Sequence, residues 1–221
     1  MDTRTLVLAL AGTVPFYDPR EYLFPSRHFE IKRLVMDYRS TSYNNPIGKG
    51  AHFLLQGLKA YSLMGQAKVV LKMWGSVDPA YSSQRLDLNL QDMVEISGFI
   101  PKKESLQKLA SCDVQVLTLS LGVDEFPPFP LPGKMFDYFH VGKPILALVE
   151  ESYCAEVLRE SGLALIVDPK SPEKVASAIK WMADQKEQLG NHFQLKKGFL
   201  ERFGREAMVD TMAQLFDEVL S

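Results

Sequence analysis

The sequence predicts an α/β fold, a doubly wound parallel sheet with helices on both faces. Three observations predict it. Apolar runs of about four to eight residues alternate with segments of helical periodicity from residue 50 onward. Glycines stand where several of these segments end, as in SLMG and RESG. The regular alternation is typical of βαβ units, whose strands pair in parallel and are covered on both sides.

The elements follow in order. The run LVLALAG at 6–12 predicts a first strand that ends in a glycine turn. Ser171, Pro172 and Glu173 form a strong start signal for one helix, because serine can cap it, proline suits the first turn and glutamate complements the positive helix end. Further strands are predicted at 67–75, 92–99, 113–120, 143–149 and 163–168. Helices are predicted at 50–65, 80–90, 103–112, 132–142, 152–162 and 171–185.

These elements predict one Rossmann-like domain over 1–185, followed by C-terminal helices at 186–221. The tail pattern suggests two amphipathic helices broken near Gly204. The organisation of 14–45 is less regular, although IKRLVMDYRS at 31–40 has the composition of a second strand. A doubly wound sheet binds ligands beyond the carboxyl ends of its strands, which directs attention to four loops. They lie at 12–20, 99–103, 120–133 and 148–153.

Composition excludes several function classes. The net charge is −2 and the pI about 6.1, so there is no bulk electrostatic case for nucleic acid or an anionic membrane. No apolar run approaches the ~20 residues that span a bilayer, and the first apolar run suits a core strand better than a signal peptide. Two cysteines and four histidines form neither a disulfide framework nor a metal-ligand pattern. We therefore expect no metal and a cytoplasmic protein, peripheral attachment of an intact protein to a membrane being left open.

The stretch PLPGKMFDYFHVGKPILAL at 130–148 carries two charges in an apolar run. Lys134 and Asp137 lie three residues apart on one helix face, in the first turns, where backbone N–H groups and the helix dipole favour an anion. Gly133 would let a ligand approach the backbone. A phosphate at the helix start and a ribose diol on the carboxylate would together hold a nucleotide. An i,i+3 salt bridge on a solvated helix face is the alternative that these residues alone leave open.

The same stretch resembles the donor-site signature of retaining glycosyltransferases built from two Rossmann-like domains, the GT-B architecture. Their carboxyl-terminal domain carries a Pro-x-Lys-x-x-(Glu/Asp)-Tyr helix followed by Gly-Lys-Pro and an apolar strand, as PGKMFDYFHVGKPILA does. VVLKMWGSV, VEISGFIPKKESLQKLASCDVQVL and AEVLRESGLALIVDPKSPEKVASAI are similar to further family segments, in the family's order. The resemblance covers roughly residues 49–185.

The resemblance implies a role for each matching residue. Asp137 matches the acid that binds the donor ribose, and Lys134 and Gly133 match the helix start near the diphosphate. Lys49 matches a lysine that contacts the donor phosphates, and Gly12 the glycine turn after the first strand.

A further segment, Phe99, Ile100 and Pro101, matches the family's backbone beside the nucleobase. Without the resemblance, Phe99 would be interpreted as a core aromatic and Lys49 as a solvated loop lysine.

Three departures from the family pattern matter. Phe129 stands where many members have a first glutamate facing the donor sugar, eight residues before the ribose acid. Asp137 is one methylene shorter than the commoner glutamate. The gap between the glycine turn and Lys49 is long, so either 14–45 is an insertion, or the first strand is 31–39 with Arg39 near the phosphates.

The resemblance implies a donor-binding half of a glycosyltransferase that acts in glycan or polysaccharide assembly, with a nucleoside-diphosphate sugar as substrate and no cofactor. UDP-sugars are expected before GDP-sugars. The amino-terminal acceptor domain, or a partner subunit that replaces it, is expected outside this chain, and the single domain is expected to be inactive alone. A non-catalytic module that has lost its donor site and a nucleotide-sugar epimerase of the same architecture are the alternatives.

Overall fold

The structure is a computed structural model. It describes residues 5–11, 50–64, 68–75, 77, 79–119 and 131–204, with isolated positions between 207 and 217. The segments predicted as an insertion (14–45) and as a strand (31–40) lie outside these residues, as does most of the tail beyond Gly204.

The described residues form one sheet of six parallel strands, which confirms the predicted fold class. Its order is β3-β2-β1-β4-β5-β6, the arrangement of a Rossmann-like sheet in which the chain first winds one way from β1 and then the other. The central strand β1 is Leu6–Ala11, the strand that the first apolar run predicts. The other strands are β2 (Val69–Trp74), β3 (Val94–Ser97), β4 (Val114–Thr118), β5 (Ile145–Leu148) and β6 (Ala164–Val167).

Six longer helices connect and cover these strands. They are α1 (Gly50–Ser62), α2 (Pro79–Asp87), α3 (Lys102–Ser111), α4 (Gly133–Val141), α5 (Tyr153–Ser161) and α6 (Pro172–Asp184). Helices α1, α2 and α6 share a buried core with one face of the sheet, and α3, α4 and α5 share a second core with the other. The split follows from the alternation of side chains along each strand: Leu8 enters the first core and its neighbour Ala9 the second.

Among the described residues, the pairing of the two central strands ends before their carboxyl ends. β1 pairs with β2 along all of its residues, from Leu6 to Ala11. Its pairing with β4, in contrast, is confined to Leu8 with Val114 and Ala9 with Gln115. This is the point at which the winding direction reverses, and a doubly wound sheet forms its ligand crevice there.

The tail differs from its prediction up to Gly204. In place of one amphipathic helix, residues 186–204 contain three short helical segments: Lys186–Gln188, α7 (Leu189–His192) and Leu200–Phe203. Gly198 adopts a left-handed φ of 78°, which a continuous helix does not permit. The apolar spacing instead buries Phe199 in the second core, where its ring contacts Phe139 at a centroid distance of 5.0 Å.

Candidate functional site

The start of α4 lies at the carboxyl edge of the sheet. Pro132 is its N-cap residue, and no side chain caps the helix there. The first turn of α4 contains no acidic residue, so no carboxylate within that turn competes with an anionic ligand for its backbone N–H groups. An added Cβ at the exposed Gly133 would meet no atom of the described residues within 4 Å. Gly142 ends the helix in the left-handed conformation, with φ 70°.

Lys134 reaches from this turn to the end of β4. Its Nζ donates a hydrogen bond to the Thr118 carbonyl oxygen at 3.3 Å, which places the ammonium where β4 leaves the sheet. Burial lowers the pKa of Lys134 from 10.5 to about 8, and the neighbouring Cys154 acts weakly in the opposite direction. The ammonium is thus a cation that has lost much of its hydration, which strengthens its attraction for an anion.

Asp137 takes a different partner. Its Oδ1 lies 3.2 Å from Nζ of Lys102, the first residue of α3. The Asp137 side chain is 35% exposed and that of Lys102 is 75% exposed, so the carboxylate is open to a ligand. Because Lys134 bonds to β4 and Asp137 to α3, the i,i+3 salt bridge weighed from the sequence is not the arrangement that these residues adopt.

The segment before α3 lies at the same edge. Phe99 is 83% exposed, so it is not a core aromatic. Ile100 packs partly against the second core, and Pro101 is the N-cap residue of α3, again without a side-chain cap. A hydrogen bond of 2.9 Å from Trp74 Nε1 to Ser105 Oγ ties the first turn of α3 to the end of β2.

The described part of the chain therefore brings together two groups of the predicted residues. The Lys102–Asp137 pair joins the start of α3, directly after the segment 99–101, to the helix that carries Gly133 and Lys134. Gly12, Lys49 and Phe129 lie outside the described residues, as does Arg39, so their predicted roles stay predictions.

Two residues at this edge were not singled out by the sequence. Lys102 follows Pro101 directly, and its position at a helix start beside the base segment is the signal that could have found it. Tyr138 is part of the helix motif, but its buried hydroxyl bonds to the Val116 carbonyl oxygen at 3.0 Å, a contact that only the fold reveals.

A second concave region runs along the outer strand β6. This cleft of about 660 Å³ is lined by Val149, Glu150, Glu151, Arg159, Ala164, Ile166, Asp168 and Lys170. Its charged rim is internally paired, since Glu150 bonds to Lys170 and Glu151 to Arg159. Val149, Glu150 and Glu151 belong to the loop 148–153 noted above, but no described residue predicted to bind the nucleotide sugar is among the lining.

Other kinds of site find little support in the residues that the structure describes. They contain no group of three or more histidine, cysteine, aspartate or glutamate side chains placed to hold a metal ion. Burial raises the pKa values of the Cys112 and Cys154 thiols to about 11, so neither is a ready thiolate nucleophile. Within the same residues, no helix has the length and apolarity needed to cross a bilayer.

Comparisons with solved structures show the same fold. Sucrose-phosphate synthase from Thermosynechococcus elongatus is 15% identical, with a TM-score of 0.56 over 97% of this chain and 45% of that chain. HepE of Anabaena, solved in complex with UDP, is 14% identical, with a TM-score of 0.59 over 96% of this chain and 49% of that one. A putative UDP-N-acetylglucosamine 2-epimerase from Listeria monocytogenes is 10% identical, with a TM-score of 0.55 over 98% of this chain and 46% of that one.

This chain thus spans about half the length of the proteins that it matches, and at these identities the likeness establishes the fold alone. A comparison with curated protein sequences finds no match. The family model of glycosyl transferases group 1, however, matches residues 42–185, well over half of the chain. The matched segment contains β2 to β6 and the whole of α4. The chain belongs to the group 1 family of glycosyl transferases.

Proposed function

We propose that this chain is the donor-binding half of a glycosyltransferase and binds a nucleoside-diphosphate sugar at the start of α4. The observation that supports it most is the juxtaposition at the carboxyl edge. An uncapped helix start, the poorly hydrated ammonium of Lys134 and the accessible carboxylate of Asp137 lie together beyond the last described β1–β4 pair. Family membership supplies the reaction class, the transfer of a glycosyl group.

Each group has a task in this proposal. The N–H groups of the first turn of α4 and the Lys134 ammonium bind the diphosphate, the group on which negative charge develops as the glycosyl bond breaks. The Asp137 carboxylate accepts two hydrogen bonds from the vicinal hydroxyls of the ribose. Backbone groups beside the exposed Phe99 contact the base. The uridine nucleotide is favoured over the guanosine one, in keeping with the complex of HepE with UDP.

Transfer to an acceptor needs a second surface. The structural neighbours are about twice as long as this chain, and we propose that an acceptor-binding domain or subunit outside it closes over the donor. Closure would exclude water from the glycosyl centre, and this chain alone would bind the donor but transfer little. The acceptor that we propose is a growing glycan or polysaccharide.

An epimerase of the same architecture is the second candidate, favoured by the fold shared with the Listeria protein. The two functions differ in product. A transferase releases the nucleoside diphosphate when an acceptor is present, whereas an epimerase returns the nucleotide sugar with one inverted carbon. Incubating the intact protein with UDP-sugars and following free UDP and the isomer separates them.

The first test is a calorimetric titration of the chain with UDP, GDP and ADP and their sugar conjugates. We expect saturable binding of one diphosphate, weakened by about 1–3 kcal/mol, or 5- to 150-fold, in Asp137→Ala, because hydrogen bonds to a charged group are lost. Asp184→Ala is the matched control, since this aspartate also pairs with a lysine but lies at the far end of α6. Equal affinity of Asp137→Ala and wild type would contradict the ribose role. A wild type that binds no diphosphate in the intact protein would contradict the donor site itself.

A further inference from the structure

Helix α4 is attached to β4 by a ladder of polar contacts. The Tyr138 hydroxyl donates to the Val116 carbonyl oxygen at 3.0 Å, and Lys134 Nζ donates to that of Thr118 at 3.3 Å. At the other end of the helix, the buried Gln115 amide donates to the carbonyl oxygens of Tyr138, at 3.0 Å, and Lys143, at 3.1 Å. The side chains of Lys134, Tyr138 and Gln115 thus connect β4 to α4.

The strand offers these carbonyls on its β1 side. Gln115 N donates to Pro144 O, so the peptide group of Gln115 faces β5. Peptide groups alternate along a strand, and those of Val116 and Thr118 therefore face the β1 side. Among the described residues, the β1–β4 pairing extends only to Ala9 and Gln115. The carbonyls of Val116 and Thr118 lie beyond the last described pair, and α4 supplies the donors that satisfy them.

The spacing of the two contacts is matched on both elements. Tyr138 and Lys134 are four residues apart on the helix, a rise of about 6 Å, and lie on one face. Val116 and Thr118 are two residues apart on the strand, about 6.6 Å, and lie on one edge. A slide or rotation of α4 by one residue would break both bonds. The apolar contacts of Met135 and Phe139 also hold the helix against the sheet, but only the two hydrogen bonds pair a named donor of α4 with a named carbonyl of β4.

We propose that Tyr138 is a positioning residue of the donor site: its hydroxyl sets the register of α4 on β4 and thereby the placement of Lys134 and Asp137. The link to the donor site rests on the proposed function. The register of α4 on β4 can be measured without any nucleotide. Tyr138 touches no substrate in this role and acts through its two neighbours on the helix.

The test compares Tyr138→Phe, which removes only the hydroxyl, with Tyr61→Phe, the same change at another buried tyrosine in the opposite core. The first readout is the NMR titration of Lys134 in the unliganded chain, its signal assigned by Lys134→Arg. The groups that act on Lys134 there are the Thr118 carbonyl of β4 and the Cys154 thiol of α5, while Asp137 on its own helix pairs with Lys102. The second readout is the affinity for UDP.

In Tyr138→Phe we expect the Lys134 midpoint to move upward by about half a pH unit or more, as a displaced ammonium regains water. We also expect UDP to bind about five- to ten-fold more weakly, because a displaced Lys134 loses about one hydrogen bond's worth of contact with the diphosphate. Tyr61→Phe should change neither readout. An unmoved Lys134 titration in Tyr138→Phe would overturn the inference, as would an equal loss of UDP affinity in both variants. If the intact wild type binds none of UDP, GDP and ADP, the proposed function fails, while the Lys134 titration still decides whether Tyr138 sets the register of α4.

Discussion

Four helix starts at the carboxyl edge of the sheet fall into two kinds. On the β6 side, α5 begins at Ser152 and α6 at Ser171, and each serine Oγ accepts a hydrogen bond from a first-turn N–H at 3.3 Å. On the crevice side, α3 begins at Pro101 and α4 at Pro132, and neither has a side-chain cap. All four helices run in the same direction relative to the sheet, so the difference is one of sequence and not of geometry.

The presence or absence of a side-chain cap affects two properties, the stability of the helix start and its availability to a ligand. A capped start has its backbone donors satisfied within the chain and contributes to folding. A proline suits the geometry of a helix start but offers no side-chain acceptor; Met135 N donates to the Pro132 carbonyl oxygen, and the N–H groups of Gly133 and Lys134 have no side-chain cap. The uncapped starts of α3 and α4 lie side by side, bridged by Lys102 and Asp137. The helix starts without side-chain caps thus lie in the same region as the family motif.

The largest effect is expected when α4 is given a cap. In Pro132→Asp, the new carboxylate would accept from the first-turn N–H groups and repel a diphosphate, since the N-cap backbone is already extended, with φ −68° and ψ 132°. We expect binding of the nucleoside diphosphate to weaken by about 2 kcal/mol or more, roughly thirty-fold, with the free energy of unfolding unchanged or higher. Calorimetry and urea unfolding measure the two quantities.

The control for this change is Ser171→Asp, which places the same carboxylate at the capped start of α6. It should preserve both the cap and the nucleotide affinity. If Pro132→Asp binds the diphosphate as wild type does, the start of α4 is not the phosphate site, and the contrast between the two kinds of helix start concerns folding alone.

The next effect concerns pH and sharpens the role of Lys134. Its pKa of about 8 means that the ammonium loses its proton as the pH rises through 8, so diphosphate affinity should fall by up to about ten-fold per pH unit above that value. The phosphate itself contributes no change there, because its last pKa is about 6. Titrations from pH 6.5 to about 9.5 measure the profile, and Lys134→Arg, which keeps its charge, should flatten it.

The same titration has the opposite sign for folding. Between pH 8 and 10.5 the unfolded chain holds a proton on Lys134 that the folded chain has released, so this group makes the free energy of unfolding rise with pH across that window. Its contribution is most favourable above pH 10.5 and is lost as the pH falls to about 8.

For the affinity profile, a pH-independent diphosphate affinity in wild type would show that Lys134 does not face the diphosphate.

The fold was predictable because its signals are local. The predicted helix 171–185 is observed as Pro172–Asp184, since Ser171, Pro172 and Glu173 mark its start in the sequence itself. The structure of the tail up to Gly204 was not predicted correctly. Apolar spacing indicates which residues are buried, but it does not show that one continuous helix connects them. Phe199 is buried there without belonging to a long helix.

The site was predictable only in part, for a related reason. The motif places Lys134 and Asp137 on one helix turn, and from that alone their mutual pairing is the natural expectation. Their actual partners are Thr118 and Lys102, residues of other elements that become neighbours only when α4 packs on β4 and α3 lies beside α4. Local patterns thus identify the residues of the site, while their contacts depend on the topology.

The smallest effect is expected on the capped side. Ser171→Ala removes the hydroxyl that accepts from Lys174 N and should lower the free energy of unfolding by about 1 kcal/mol, because a first-turn donor loses its partner. Nucleotide affinity should stay unchanged, since α6 packs in the core on the other face of the sheet from α4. Urea unfolding and the UDP titration measure the pair of effects. A fall in UDP affinity without a change in stability would mean that the capped helix starts also take part in binding, and the division between the two sides of the sheet would then fail.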